Sequence, residues 1–159
     1  MCVGSIGQDS SKPDYVDNVV FEDVHLTHSS NAAWLKTYPG NGHIKNVTFR
    51  NIKFTNVNQP IYLTTCIYSY SNCDSSRIQI SDIRWENISG TARYNIGAGI
   101  HCSGNTHCKN LTFSDINVTT MDNKPVQYLC SNIENQKTMG LACTGTCPAD
   151  WPQQLSGNH

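Results

Sequence analysis

The sequence predicts an all-β fold, a right-handed parallel β-helix of about four to five coils whose N-terminal end is open. Three observations carry that prediction. The composition suits strands and turns better than helices. One seven-residue unit recurs four times, and a second short apolar segment follows each copy.

Among the 159 residues, 38% are hydrophobic and only 14% charged, and Asn, Thr, Ser and Gly are abundant. Strong helix formers are scarce, while β-branched and turn-forming residues are common. The formal net charge of −1 gives no electrostatic basis for binding nucleic acid or an anionic membrane. No apolar run approaches the ~18 residues of a membrane-spanning helix.

The repeated unit reads Asn18-Val-Val-Phe-Glu-Asp-Val24, Asn46-Val-Thr-Phe-Arg-Asn-Ile52, Asp82-Ile-Arg-Trp-Glu-Asn-Ile88 and Asn110-Leu-Thr-Phe-Ser-Asp-Ile116, at spacings of 28, 36 and 28 residues. The longer interval holds a polar insertion at 68–76. Within each unit the apolar residues alternate, as in Val19/Phe21 and Val47/Phe49, which places them on one face of a strand. Asp23, Asn51, Asn87 and Asp115 then mark a bend, since Asn and Asp tolerate left-handed backbone angles. An apolar residue follows each bend. A unit of this length cannot bury its own apolar face, but stacked units can, each adding ~4.8 Å of height. The bend residues would form ladders up the stack.

Segments 33–36, 61–64, 96–101 and 126–129 supply the second column of strands. A single domain over 1–159 is expected, with coils over about 1–130 and an irregular C-terminal cap over about 131–159.

Eight cysteines in an even set favour disulfides and an oxidising compartment. Zinc needs paired clusters, and only Cys143 and Cys147 approach that spacing. The preferred bridges are Cys102–Cys108 and Cys143–Cys147, then Cys66–Cys73. Cys102–Cys130 is an alternative, and Cys2 is expected to be unpaired. Four sequons, at Asn46, Asn87, Asn110 and Asn117, agree with an extracellular location. The residues after Met1 lack the pattern of a signal peptide, so the natural N-terminus is expected to be absent. No metal or cofactor site is expected.

Gly4-Ser5-Ile6-Gly7 resembles the end of the Gly-His-Gly-x-Ser-x-Gly-Ser-x-Gly signature of glycoside hydrolase family 28, the polygalacturonase and rhamnogalacturonase family. The distance to Leu35-Lys36-Thr37 matches that family's Arg-Ile-Lys segment. The repeats and the cysteine-bounded loops look most like fungal exo-acting members, and the resemblance runs over nearly the whole chain. It implies a pectin-lyase-like solenoid, a pectic polysaccharide partner (galacturonan or rhamnogalacturonan) and hydrolysis of α-1,4-galacturonosyl bonds with inversion. Inversion needs two carboxyl groups ~6.5–9.5 Å apart. The family carries them in Asn-Thr-Asp and Asp-Asp motifs, and neither motif occurs here. No catalytic residue is therefore assigned, and the chain is expected to be inactive as it stands.

By the same resemblance, Lys36 matches a lysine that contacts a sugar carboxylate, as a cation suits a uronate. Trp34 stands where many members have Arg and offers an indole face instead. Tyr68 lies near a substrate-binding tyrosine. The rival reading is a non-catalytic member that binds pectin or an inhibitor. Tyr62 reads as a packing residue and His43 as a turn residue, while His101 shows no ligand spacing. An uncovered first coil exposes strand edges and apolar side chains, so self-association is expected.

Overall fold

In a computed structural model of the chain, residues 1–67 and 73–149 are described. They form a parallel β-helix. Strands β1 (Cys2–Ile6), β3 (Asn31–Thr37), β5 (Gln59–Thr64), β7 (Ile96–His101) and β9 (Gln127–Ser131) pair in that order in one sheet. Strands β2 (Asp14–Thr27), β4 (Asn41–Val57), β6 (Arg77–Ala92) and β8 (Lys109–Thr120) form the other. All pairings are parallel. A 3₁₀ turn covers Cys73–Ser75.

The sequence repeat and the strand register coincide. Phe21 pairs with Phe49, Phe49 with Trp85 and Trp85 with Phe113. These rings stack nearly face to face inside the coil, with centroids 5.3, 6.2 and 4.4 Å apart. Around them Val47, Ile52, Ile83, Ile88 and Leu111 are fully enclosed. Alternation delivers each of these residues inward, and stacking shields it from water.

Each long strand bends where the unit begins and again near its end. Asn18, Asn46, Asp82 and Asn110 hold φ between 51° and 59°, and Asp23, Asn51, Asn87 and Asp115 between 53° and 57°. The expected ladders are present. The Asn46 amide donates to Asn18 Oδ1 at 2.7 Å and Asn110 to Asp82 Oδ1 at 2.6 Å. In the second column Asn51 donates to Asp23 at 2.9 Å and Asn87 to Asn51 at 3.0 Å. The carboxylate of Asp82 has no N–H to offer Asn46, and the Arg84 guanidinium fills that place at 3.0 Å.

The motif glycines permit close approach. Gly4 has φ +109°, and a Cβ there would run into the carbonyl oxygen of Lys36. Glycine therefore lets β1 lie against the rung that carries Lys36.

Two expectations need correction. Cys143 bonds to Cys130, not to Cys147; the other bridges are Cys66–Cys73 and Cys102–Cys108, leaving Cys2 and Cys147 as thiols. The cause is the path of the tail. Gly145 bridges to Leu129 and accepts from the Cys130 N–H, so the chain doubles back beside β9 and brings Cys143 to Cys130. His43 lies within β4 and not in a turn, because the strand begins at Asn41. Beyond β9, Ile133, Met139 and Leu141 are buried against the last coils, and Phe113 N–H donates to Met139 O.

Candidate functional site

The outer face of the β1–β9 sheet collects the side chains that can bind a ligand. In β3, Ala33, Leu35 and Thr37 are buried, while Trp34 and Lys36 between them are only partly so. Alternation thus turns Trp34 and Lys36 to the same side. The Lys36 ammonium lies 4.5 Å from the centre of the Trp34 ring, a cation–π contact that holds the charge over the indole. Trp34 in turn stacks on Tyr62 of β5, with centroids 5.8 Å apart. Tyr62 is 4% exposed, so it serves as a packed support.

Strand register extends the site along the stack. Trp34 pairs with Tyr62 and Tyr62 with Gly99; Lys36 pairs with Thr64, Thr64 with His101 and His101 with Ser131. One column therefore begins with the aromatic pair, and beside it runs a polar column of Lys36, Thr64, His101 and Ser131. On the first rung Cys2 pairs with Trp34. Burial raises its thiol above the usual range, partly opposed by the nearby Lys36 charge. Tyr68, the third expected substrate residue, lies outside the described residues.

Sequence reasoning passed over His101. It is 6% exposed, and its Nδ1 is enclosed without a hydrogen-bond partner. Burial pulls its basicity down, with Asp74 opposing, so the neutral ring is favoured. The available signal was register, since His101 sits two rungs from Lys36 in the same column.

The five strands of this sheet contain no Asp or Glu. The bend carboxylates of Asp23 and Asp82 belong to the other sheet and are engaged there. Asp23 accepts from Asn51, Asp82 accepts from Asn110, and Glu22 lies 3.5 Å from Arg50. Among the described residues, no three His, Cys, Asp or Glu side chains gather as metal ligands. No helix among them is long and apolar enough to cross a membrane.

The fold is a parallel β-helix, and one side of its β1–β9 sheet carries an indole ring with a cation held over it. The family model described as glycosyl hydrolases family 28 matches residues 1–143, and the chain belongs to this family. It is 32% identical to exopolygalacturonase B of Aspergillus niger over 152 residues, covering 89% of this chain and 34% of that protein. The probable exopolygalacturonase B of Aspergillus oryzae is 30% identical, and that of Neosartorya fischeri 33%. The chain thus spans about a third of the length of these relatives. Its fold matches the crystal structure of endo-xylogalacturonan hydrolase from Aspergillus tubingensis with a TM-score of 0.80 at 26% identity, over 91% of this chain and 40% of that one.

Proposed function

We propose that the outer face of the β1–β9 sheet is a groove for a pectic polysaccharide, and that the chain is the substrate-holding portion of a polygalacturonase-type hydrolase, exo-acting like the exopolygalacturonase B relatives. The observation that carries this reading is the Lys36 ammonium fixed over Trp34 on the open face, in a chain of this family. Lys36 receives the carboxylate of a galacturonate residue. The cation–π contact limits the positions the ammonium can take, so less side-chain entropy is lost on binding. Trp34, stacked on Tyr62 and lying under the Lys36 ammonium, holds the cation in place and contributes what remains exposed of its ring. An indole cannot make the paired hydrogen bonds of a guanidinium, so the groove tolerates a chain not charged at every residue. Rhamnogalacturonan therefore stands beside galacturonan as the substrate.

Inverting hydrolysis requires an acid and a base on opposite sides of the scissile bond. The five strands of the sheet contain no Asp or Glu to serve as either, so on this reading the groove holds substrate and the acid and base come from elsewhere. This same feature favours the second reading, a non-catalytic member that holds pectin or a protein inhibitor. Three disulfides support an extracellular location.

The test is reducing-sugar release from polygalacturonate. The chain alone should stay at background while pulling down with the polymer at low ionic strength. Release above background would refute the assignment of the acid and base to residues outside this chain. Failure to pull down would refute the groove.

A further inference from the structure

Two rungs beyond Lys36, about 10 Å along the stack, the polar column meets a cavity of about 480 Å³ lined by Cys73, Asp74, Ser75, His101, Asn105 and Ala149. We propose that this cavity is a second saccharide subsite, selective for an uncharged sugar residue, with His101, Asp74 and Asn105 as its recognition groups. The proposal rests on the groove reading above and names what the far end of that groove accepts.

Two disulfides and a set of hydrogen bonds tie the walls together. Asp74 follows Cys73 of the Cys66–Cys73 bridge, and Asn105 lies inside the loop closed by Cys102–Cys108. Ser103 Oγ lies 2.9 Å from the Asp74 carbonyl and 2.8 Å from the Ser76 carbonyl, its one O–H shared between them. Gly104 N–H donates to Asp74 Oδ1 at 2.8 Å, and Asn105 N–H to Asp74 O at 3.2 Å. The Asn132 amide reaches Asp74 Oδ1 at 3.4 Å and the Cys102 carbonyl at 2.9 Å. Two loops from successive coils are thereby locked to each other around the Asp74 side chain.

The lock leaves specific polar groups over. Asp74 Oδ2 accepts no hydrogen bond from the described residues, and the Asn105 side-chain amide makes none. His101 retains only 6% of its surface and borders the cavity. An enclosed Nδ1 without a partner is tolerated more cheaply as a bare acceptor than as an N–H, so the ring proton belongs on Nε2. The cavity then offers an N–H donor, a carboxylate acceptor and an amide that does both. That set fits vicinal hydroxyls. It opposes a uronate, because the Asp74 charge faces the cavity and no Lys or Arg is among the lining residues. Lys36 and Asp74 thus give the groove opposite charge preferences two rungs apart.

The experiment uses the full chain with ¹⁵N-labelled histidine and follows the His101 ring resonances while methyl xyloside or methyl galacturonide is added. The neutral glycoside should shift them saturably with the ring proton on Nε2, and Asn105→Ala should weaken this about tenfold. The galacturonide should bind at least about tenfold more weakly than the xyloside, and Asp74→Asn should narrow that gap. No shift at His101 with the xyloside, or equal binding of the two in the unmodified chain, overturns the subsite. Trigalacturonate binding to Lys36→Ala is measured in parallel. If it falls while His101 stays silent, the subsite fails and the groove stands. If it is unchanged, the groove fails whatever His101 does.

Discussion

Replacing Asn51 isolates what the bend ladder contributes to the stack. Asn51 sits at φ 53°, donates to Asp23 Oδ1 at 2.9 Å and accepts from Asn87 at 3.0 Å. It is exposed, so nothing is lost from the core. Alanine in the left-handed region costs roughly 1–2 kcal/mol, somewhat less when measured against an Asn that already bears part of that strain. Each hydrogen bond is worth about 0.5–1 kcal/mol at a solvated site, the one to the Asp23 carboxylate being the stronger. Asn51→Ala should therefore destabilise by about 2–3 kcal/mol. Asn51→Gly loses the same two bonds and regains the backbone freedom, at an unfolded-state cost of about 0.5–1 kcal/mol. It should be the milder change by about 0.5–1 kcal/mol. The assay is urea denaturation followed by tryptophan fluorescence with all disulfides intact, comparing midpoints only where the slopes agree. An Asn51→Ala loss below about 0.5 kcal/mol, or a glycine variant no more stable than the alanine one, would refute both the ladder energetics and the role given to left-handed bends.

Three further outcomes follow from the same structure. The Asn110 amide holds the Asp82 carboxyl below its ordinary value of 3.8, with Ser81 and the charges of Lys45 and Arg84 adding to the effect. A depressed carboxyl contributes stability above that ordinary value and loses it as pH falls through its folded value. The stability advantage of the native chain over Asp82→Asn should accordingly shrink on acidification through this window, and an advantage that grows would contradict the ladder assignment. Burial pushes the Cys147 thiol up to about 12, so native protein at pH 8 should resist alkylation there until unfolded, and peptide mapping should recover Cys130–Cys143. On the first rung Val19, Phe21, Val24 and Leu26 stay partly exposed while their partners Val47, Phe49, Ile52 and Phe54 are buried. That uneven cover, on an edge strand, should make the chain self-associate in sedimentation; a monodisperse monomer would count against it.

The coil was legible in the sequence because two demands coincide in each repeat. An inward column must be apolar at alternate positions, and a left-handed bend must be Asn or Asp. Val47, Phe49 and Asn51 satisfy both within five residues, and their counterparts recur at the coil length. Trp34 and Lys36 were singled out by the family resemblance, and alternation in β3 puts both on one side of the sheet. What escaped has no period. Cys130 meets Cys143 because the tail returns beside β9, a choice made by main-chain hydrogen bonds at Gly145. His101 gains its surroundings from two loops that come from different coils, so its neighbours are far apart along the chain. His43 looked like part of a Gly-rich turn, yet Gly42 at φ +128° packs against the Asp14 backbone inside the paired region, and β4 starts earlier than the composition suggests.

The most direct test of the groove is the affinity of the chain for trigalacturonate by titration calorimetry, alone and with Lys36→Ala. The native chain should bind with an affinity that falls as salt rises, and the variant should lose about tenfold or more at low salt with its fold intact by circular dichroism. Equal affinity in the two proteins, at any ionic strength, would contradict the assignment of Lys36 to the sugar carboxylate.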